Sequence, residues 1–529
     1  MYHPRNSVAR LPADVLLQVG DHLDGKSLAR WSMASKGTHS LMNGPHASQH
    51  RYTMELARTG LIDGRSGAPH GELAQRLAYY NHSWMSGGLT ISHLSLPLAG
   101  RHTVYMGNQK TPGGNSFLGT SGGYLYQVTR YHNATYLDLW ELPSHRRAGL
   151  GSLPPIGKRQ FITHHVIQAV AIDPSQNLLV IMDSQVPETC IWFLDLRTFK
   201  PHPEAELEDV MPFGDVDGSL VVSQLEICGN TVGVLVAPRE GHSCRFPTST
   251  PMRFFLWRSG SLTNIQDVAA PWAFHFLNEW QILIAEFRYG SNGDNMPILR
   301  LYDIRYPSAR NRGQKLLLPW YGPAYKTRQP TNISFVKNLS PVPSSYHPVQ
   351  APFHHDTAAQ LMGIKFTFGS YQDERPLDFP QVALCILKAS VFTSGNCKDY
   401  DWFSQCLAVA PAPGIDLAFA GNRLVSSYHE PKQYLSKIAV QDLTELAAKN
   451  HPYPQIWYPS RCDNADKFRV SPFGRIISCV EPRIKKIMPT EDHLILLPVG
   501  LNLSELRPLI MLTSVHQCRI MSINLPPIL

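Results

Sequence analysis

None of the nine cysteines pairs into a C-x-x-C motif, and none joins histidines at zinc-ligand spacing. The odd count does not suit a disulfide framework, which points to a reducing, intracellular setting. No run of 18 or more apolar residues occurs, so no membrane partner is expected. The opening M-Y-H-P-R-N-S-V-A-R has no apolar stretch of the kind a signal peptide needs. The expected location is therefore cytoplasmic or nuclear. The N-x-S/T triplets at Asn81, Asn133, Asn332, Asn338 and Asn502 then read as chance matches.

Charge is also scarce. Asp, Glu, Lys and Arg make up 17% of the chain, and the net charge is +7. The basic clusters His145–Arg147, Arg310–Lys315 and Arg483–Lys486 are short and read as solvated loops. No nucleic-acid partner is expected.

Catalytic signatures are missing too. There is no phosphate-cradling P-loop and no H-E-x-x-H. Gly119-Thr120-Ser121-Gly122-Gly123 fits G-x-S-x-G, but a nucleophile elbow needs a helix after the serine. The residues after Gly123 read as a strand, which makes the glycines a hairpin turn. Asp215, Asp217, Ser219 and Glu226 fall at calcium-loop positions, yet Leu220 stands where that loop needs glycine. His164-His165 and His354-His355-Asp356 are adjacent histidines, which a strand would point to opposite faces. They read as surface loops. No catalytic residue, metal site or cofactor is expected, and the chain is not expected to be an enzyme.

What the chain does have is punctuation, with 42 prolines and 37 glycines beside 43% hydrophobic residues. Many short elements joined by turns are expected. The N-terminus is the exception. Pro12 and Asp14 suit the first turn of a helix. Val15, Leu16, Val19 and Leu23 recur at helical spacing on one face. Asp24 suits the cap of a second helix carrying Leu28, Trp31 and Met33 or Ala34. A third short helix around Thr38–Met42 ends at Gly44-Pro45. Three such helices are too small to be stable alone, so their apolar face needs a partner. That partner is either the rest of this chain, with the helices as a cap, or another protein.

The order Leu11-Pro12, Leu16, Val19, Leu23-Asp24, Leu28, Ser35-Lys36 and Leu41 resembles an F-box. The resemblance implies a three-helix F-box module that docks on the Skp-type adaptor, and through it the cullin scaffold, of a ubiquitin ligase. The residues it assigns to adaptor binding are Leu11, Pro12, Val15, Leu16, Val19, Leu23, Leu28 and Trp31. Two positions depart from the pattern. Gly20 stands where a large apolar residue is usual and Thr38 where an aromatic is common, which predicts weaker docking. Segments Tyr52–Gly64, Leu73–Trp84 and Ala171–Val180 look like a group of long fungal F-box proteins.

Beyond the box, Leu73, Leu77, Tyr80 and Trp84 form a helical stripe that reads as core. From about residue 90 the pattern changes to short β-branched and aromatic runs split by Gly, Pro and Asn. Four stretches share one shape: apolar strand, Asn-containing turn, second strand, loop, then a third strand often ending in Asp. Their turn asparagines, Asn177, Asn230, Asn278 and Asn422, are 53, 48 and 144 residues apart. The last interval has room for two degenerate copies. Further copies fit near Tyr126–Trp140 and Phe468–Val480, while Pro307–His355 reads as a long insertion or a poorly formed copy. A period near 50 with no alternating helices points to a β-propeller of six to eight blades, with a pair of β-sandwiches as the alternative.

The expected class is mainly β: a three-helix F-box followed by a β-propeller-like repeat domain. The expected units are a flexible N-terminus at 1–8, the F-box module at 9–45, a helical linker at 46–89 and the β-propeller-like domain at 90–529. The expected function is that of a substrate receptor in an SCF-type ubiquitin ligase, with the propeller holding an unknown client protein. A non-ligase interaction scaffold, or a propeller enzyme or sugar binder, are the alternatives.

Overall fold

The structure is a computed structural model. It describes residues 11–64, 67–86, 90–94, 104–106, 116–131, 134–142, 158–185, 188–206, 211–212, 220–238, 252–265, 271–289, 295–305, 313–316, 318, 330–336, 353–355, 360–368, 382–393, 402, 406, 408–411, 417–429, 435–443, 455–456, 474–482, 484–489, 493–498 and 509–513. The 1–8 segment lies outside them, as do Asp215, Asp217, Ser219 and Asp356.

Five helices open the chain: α1 Ala13–Asp21, α2 Gly25–Ala34, α3 Lys36–Met42, α4 Ser48–Thr59 and α5 His70–Ser86. Their starts follow local chemistry. The Asp24 carboxylate accepts the Ser27 N–H at 2.7 Å, satisfying a donor that the first turn of α2 leaves free. At α3 the Ser35 hydroxyl accepts the Thr38 N–H, and the Thr38 hydroxyl accepts the Ser35 N–H, both at 3.1 Å. That is a reciprocal capping box with threonine in place of the usual Glu or Gln. α4 stops at Gly60, whose φ of 67° is left-handed and whose N–H returns to Leu56 O.

α4 and α5 fasten this helical part to the β body. Tyr52, Leu56, Leu73, Leu77 and Tyr80 form one buried cluster with Phe353, Val425 and Val440. The stripe read from Leu73, Leu77 and Tyr80 is thus core; the Trp84 side chain lies outside the described ones. Arg423 lies 4.8 Å from the centre of the Tyr80 ring and donates to Tyr80 Oη at 3.0 Å and Asn81 Oδ1 at 3.2 Å, all in a buried setting. Strand Leu61–Asp63 pairs antiparallel with Phe353–His355. The linker expected at 46–89 is therefore a packed joint, and part of the irregular Pro307–His355 segment serves it.

Among the described residues, the β body holds seven sheets of four or five strands. In order along the chain, their first strands are Ser116–Ser121, Val166–Asp173, Leu220–Cys228, Pro271–Phe276, Pro330–Val336, Leu417–Ala420 and Ile484–Pro489. In the first, the short strand Val104–Met106 also adds, in parallel, beside Ser116–Leu118. Successive sheets are in contact along the chain, mostly through their first strands, and Ile484–Pro489 contacts Ser116–Ser121, a propeller-like arrangement. The seventh sheet joins both ends of the β region, because Thr90–Leu94 pairs residue for residue with Leu509–Thr513.

The ring form follows from burial on both faces. In strand Leu178–Gln185, successive side chains point to opposite sides. Leu178, Val180 and Met182 pack with Val222, Val232 and Phe255 of the third sheet. Leu179 and Ile181 pack with Tyr124, Leu137 and Leu139 of the first. Each such side chain contributes about 1.5–3 kcal/mol by leaving water. A lone sheet would leave one of these faces wet; a neighbour on each side covers both.

Polar side chains bind the first strands together. Ser121 Oγ donates to Ile172 O at 3.1 Å and accepts the Ile172 N–H at 3.0 Å. The serine of the G-x-S-x-G match is thus a clamp between sheets, beside a glycine hairpin turn as expected. The Gln224 amide does the same one sheet further on, donating to Phe274 O at 2.6 Å and accepting its N–H at 3.2 Å.

All four asparagines lie in the turn after a first strand. Asn177 takes the left-handed conformation itself, with φ 56°. The carbonyls of Asn177, Asn230 and Asn422 accept the N–H of the residue after the third strand: Leu196, Trp257 and Leu443. In the fourth sheet Trp280 O takes the same role for Ile304. Two expected copies are corrected. Between Asn278 and Asn422 only one further sheet begins among the described residues, at Pro330, and its strands are widely spaced along the chain. The copy placed at Phe468–Val480 is no separate repeat: Gly474–Pro482 is the outer strand of the sheet that starts at Leu417.

Candidate interaction surface

α1 is amphipathic, yet its only buried residue is Gly20. Leu11 and Val19 are 44% and 45% exposed. Val15, Leu16 and Leu23 are half-buried, Pro12 is exposed and Trp31 is half-buried. These seven residues stand on the outer part of the helical module, away from the cluster that joins α4 and α5 to the β body. Leu28 belongs elsewhere. It is 1% exposed, sealed inside the module, and its role is to hold α2 in place. It is removed from the contact set on that ground. Met33, which the F-box resemblance does not assign to docking, is 75% exposed. Its position on α2, between the capping aspartate and the capping serine, was readable; which face of α2 would be covered was not.

The two departures from the F-box pattern have local causes. A Cβ on Gly20 would stand 2.7 Å from His50 Nε2 and 2.8 Å from His50 Cδ2. His50 fills that space because its Nε2 lies 3.1 Å from both Leu17 O and an Asp21 carboxylate oxygen. Both partners are acceptors, so Nε2 carries the proton. Thr38 is 9% exposed and completes the capping box that starts α3. Gly25 serves close packing as well: a Cβ there would lie 2.5 Å from both Ala57 Cβ and Thr53 O of α4.

Gly20→Ala tests this directly. In an open helix the change favours folding by about 1 kcal/mol. Here the new methyl displaces a buried, doubly held imidazole, so the sign is expected to reverse. Amide hydrogen exchange across α1 should accelerate in the variant. Slower exchange would show that His50 moves aside freely.

The exposed patch is apolar with an acidic border, formed by Asp14, Asp21 and Asp24, all exposed. The Ser27 N–H holds the Asp24 carboxyl below its ordinary range. Such a surface can bury side chains in a partner's groove. Among the described residues, no group of three or more His, Cys, Asp or Glu could hold a metal ion, and no helix is long and apolar enough to cross a membrane. His165 lies 3.6 Å from the Asp183 carboxylate, within the β body.

No family model matches the chain, and no curated protein matches its sequence. Among solved structures, the chain is similar to the β-propeller domain of the Trilobed protease from Pyrococcus furiosus, at 8% identity and a TM-score of 0.40, over 77% of this chain and 97% of that one. It is also similar to the Dos1 propeller, at 11% identity and a TM-score of 0.36, over 75% and 78% of the two chains. A third is an uncharacterised protein of Listeria monocytogenes, at 11% identity and 0.34, over 68% and 99%. These likenesses are distant, and the description of the chain as mainly β with a propeller-like ring of sheets stands on its own strand pairing.

Proposed function

We propose that this chain is a substrate receptor of an SCF-type cullin–RING ubiquitin ligase. Its N-terminal helices dock on a Skp-type adaptor, and its ring of sheets holds a client protein. One observation supports the reading: the residues that resemble an F-box form short helices with an apolar face on which Leu11 and Val19 are exposed and Val15, Leu16 and Leu23 are half-buried. Helices that served only to cap the body would turn that face inward. In this reading the chain does no chemistry. It raises the local concentration of the ubiquitin donor around the client's lysines.

Burying one Leu at such a contact contributes about 1.5–3 kcal/mol, and 1.4 kcal/mol is a factor of ten in affinity. Leu16→Asp also places a charge in an apolar groove. Adaptor capture in a pull-down from purified components should fall more than tenfold, with the circular-dichroism spectrum of the β body unchanged. Undiminished capture would reject the docking assignment, and protection of residues 11–42 from protease without any adaptor would favour a cap on the body instead.

A further inference from the structure

A second surface of the helical module lies apart from the docking face. α2, α4 and α5 enclose a groove of about 860 Å³. Each helix lines it with one face at i, i+3, i+4, i+7 spacing: Lys26, Ala29, Arg30 and Met33 on α2; Arg51, Met54, Glu55 and Arg58 on α4; Gly71, Ala74, Gln75 and Ala78 on α5. Three facing stripes of small and methionine side chains leave the space that a fourth helix would occupy. None of these residues belongs to the patch assigned to the adaptor.

The charge on the rim is one-sided. Among the described residues, Glu55 is the only carboxylate lining the groove, and Arg58 holds it at 2.6 Å. Lys26 faces the Asp24 carboxylate, while no ion pair to Arg30 or Arg51 is seen among the described residues. Arg51 gives one guanidinium N–H to Asn43 O at 3.3 Å, while its Nε is buried without a hydrogen-bond partner. An apolar floor under a positive rim fits a segment with an apolar stripe flanked by carboxylates.

We propose that this groove binds an acidic amphipathic helix of a partner protein, at a site separate from the adaptor surface. Apolar residues at i, i+3, i+4 and i+7 of the incoming helix rest between Met33 and Met54. Its Glu or Asp residues pair with Arg30, Lys26 and Arg51.

The test uses three fluorescein-labelled synthetic helical peptides and fluorescence anisotropy with the full chain at low salt. One carries a Leu stripe flanked by Glu, one carries the same stripe flanked by Lys, and one has the Glu/Leu composition with the stripe scrambled. The Glu-flanked peptide should bind at least tenfold more tightly than either control. Arg30→Glu and Ala78→Trp, at exposed positions, should each lower that affinity tenfold or more, whereas Leu16→Asp should leave it unchanged. Equal binding of all three peptides, no binding at all, or indifference to Arg30→Glu and Ala78→Trp would overturn the proposal. So would loss of binding in Leu16→Asp, because the peptide would then lie on the α1 face. The adaptor pull-down is read separately, so either proposal can fail while the other stands.

Discussion

Glu286→Ala should be the most damaging single change in the β body, lowering stability by about 3–5 kcal/mol, the usual cost of removing one member of a buried ion pair. Glu286 and Arg300 meet at 2.5 Å, with side chains 0% and 5% exposed. They lie on adjacent strands of the fourth sheet, on the face that carries Ile282, Ile284 and Tyr302. That face packs against Met252 and Phe254 of the third sheet. Alanine leaves a guanidinium in this apolar layer without its carboxylate. The attraction between the two charges is not itself a net gain, because both were taken out of water to make it. The cost comes from stranding one of them. The double change Glu286→Leu with Arg300→Leu should therefore recover most of the loss, although it removes both partners. Urea unfolding followed by tryptophan fluorescence reads both variants. A single variant with the parent midpoint, or a double variant worse than the single, would reject this account.

Helix caps, turn asparagines and the alternation of apolar residues are local signals, and these were legible. Asp24 caps α2 because its carboxylate bonds a backbone N–H three residues away; the Ser35 cap of α3 has the same span but was passed over. Asn177, Asn230, Asn278 and Asn422 mark first hairpin turns for a similar reason: the turn conformation is decided by the residues inside it. The repeated strand–turn–strand shape was legible, but the placement of sheets after Asn278 was not. Spacing along the chain cannot distinguish an extra sheet from long connections within one sheet, since strand pairing is a contact between distant residues. The same limit hid the joint. Arg423 meets Tyr80 and Asn81 across more than 340 residues, and nothing near Arg423 in the chain marks it as a buried residue. On the outer face of the helical module, the apolar spacing of α1 was readable. Gly20 looked like a defect because His50, which occupies the space a side chain would need, lies 30 residues further on.

That joint makes the second large effect, which concerns where the chain can be cut. A chain starting at residue 46 should lose adaptor capture and keep its β body. It retains α4, α5 and Thr90–Leu94, and so every described contact between the helices and the cluster of Tyr80, Phe353, Val425 and Val440. A chain starting at residue 96 should be insoluble or unfolded, for three additive reasons. Removing Thr90–Leu94 strips five paired residues from Leu509–Thr513 and leaves an open edge where the two ends of the β region join. Removing α5 wets the apolar surface of Val425 and Val440. It also takes the Tyr80 and Asn81 hydrogen bonds from Arg423, which is 6% exposed, and hydrogen bonds to a buried charge are worth about 1.5–3 kcal/mol each. Size-exclusion chromatography and thermal melts of the two shortened chains separate the contributions. A soluble chain from residue 96 that melts like the parent would show that the helices are appended to the β body and do not complete it. A chain from residue 46 that fails to fold would show that α1–α3, whose outer face is assigned here to another protein, are needed by this one.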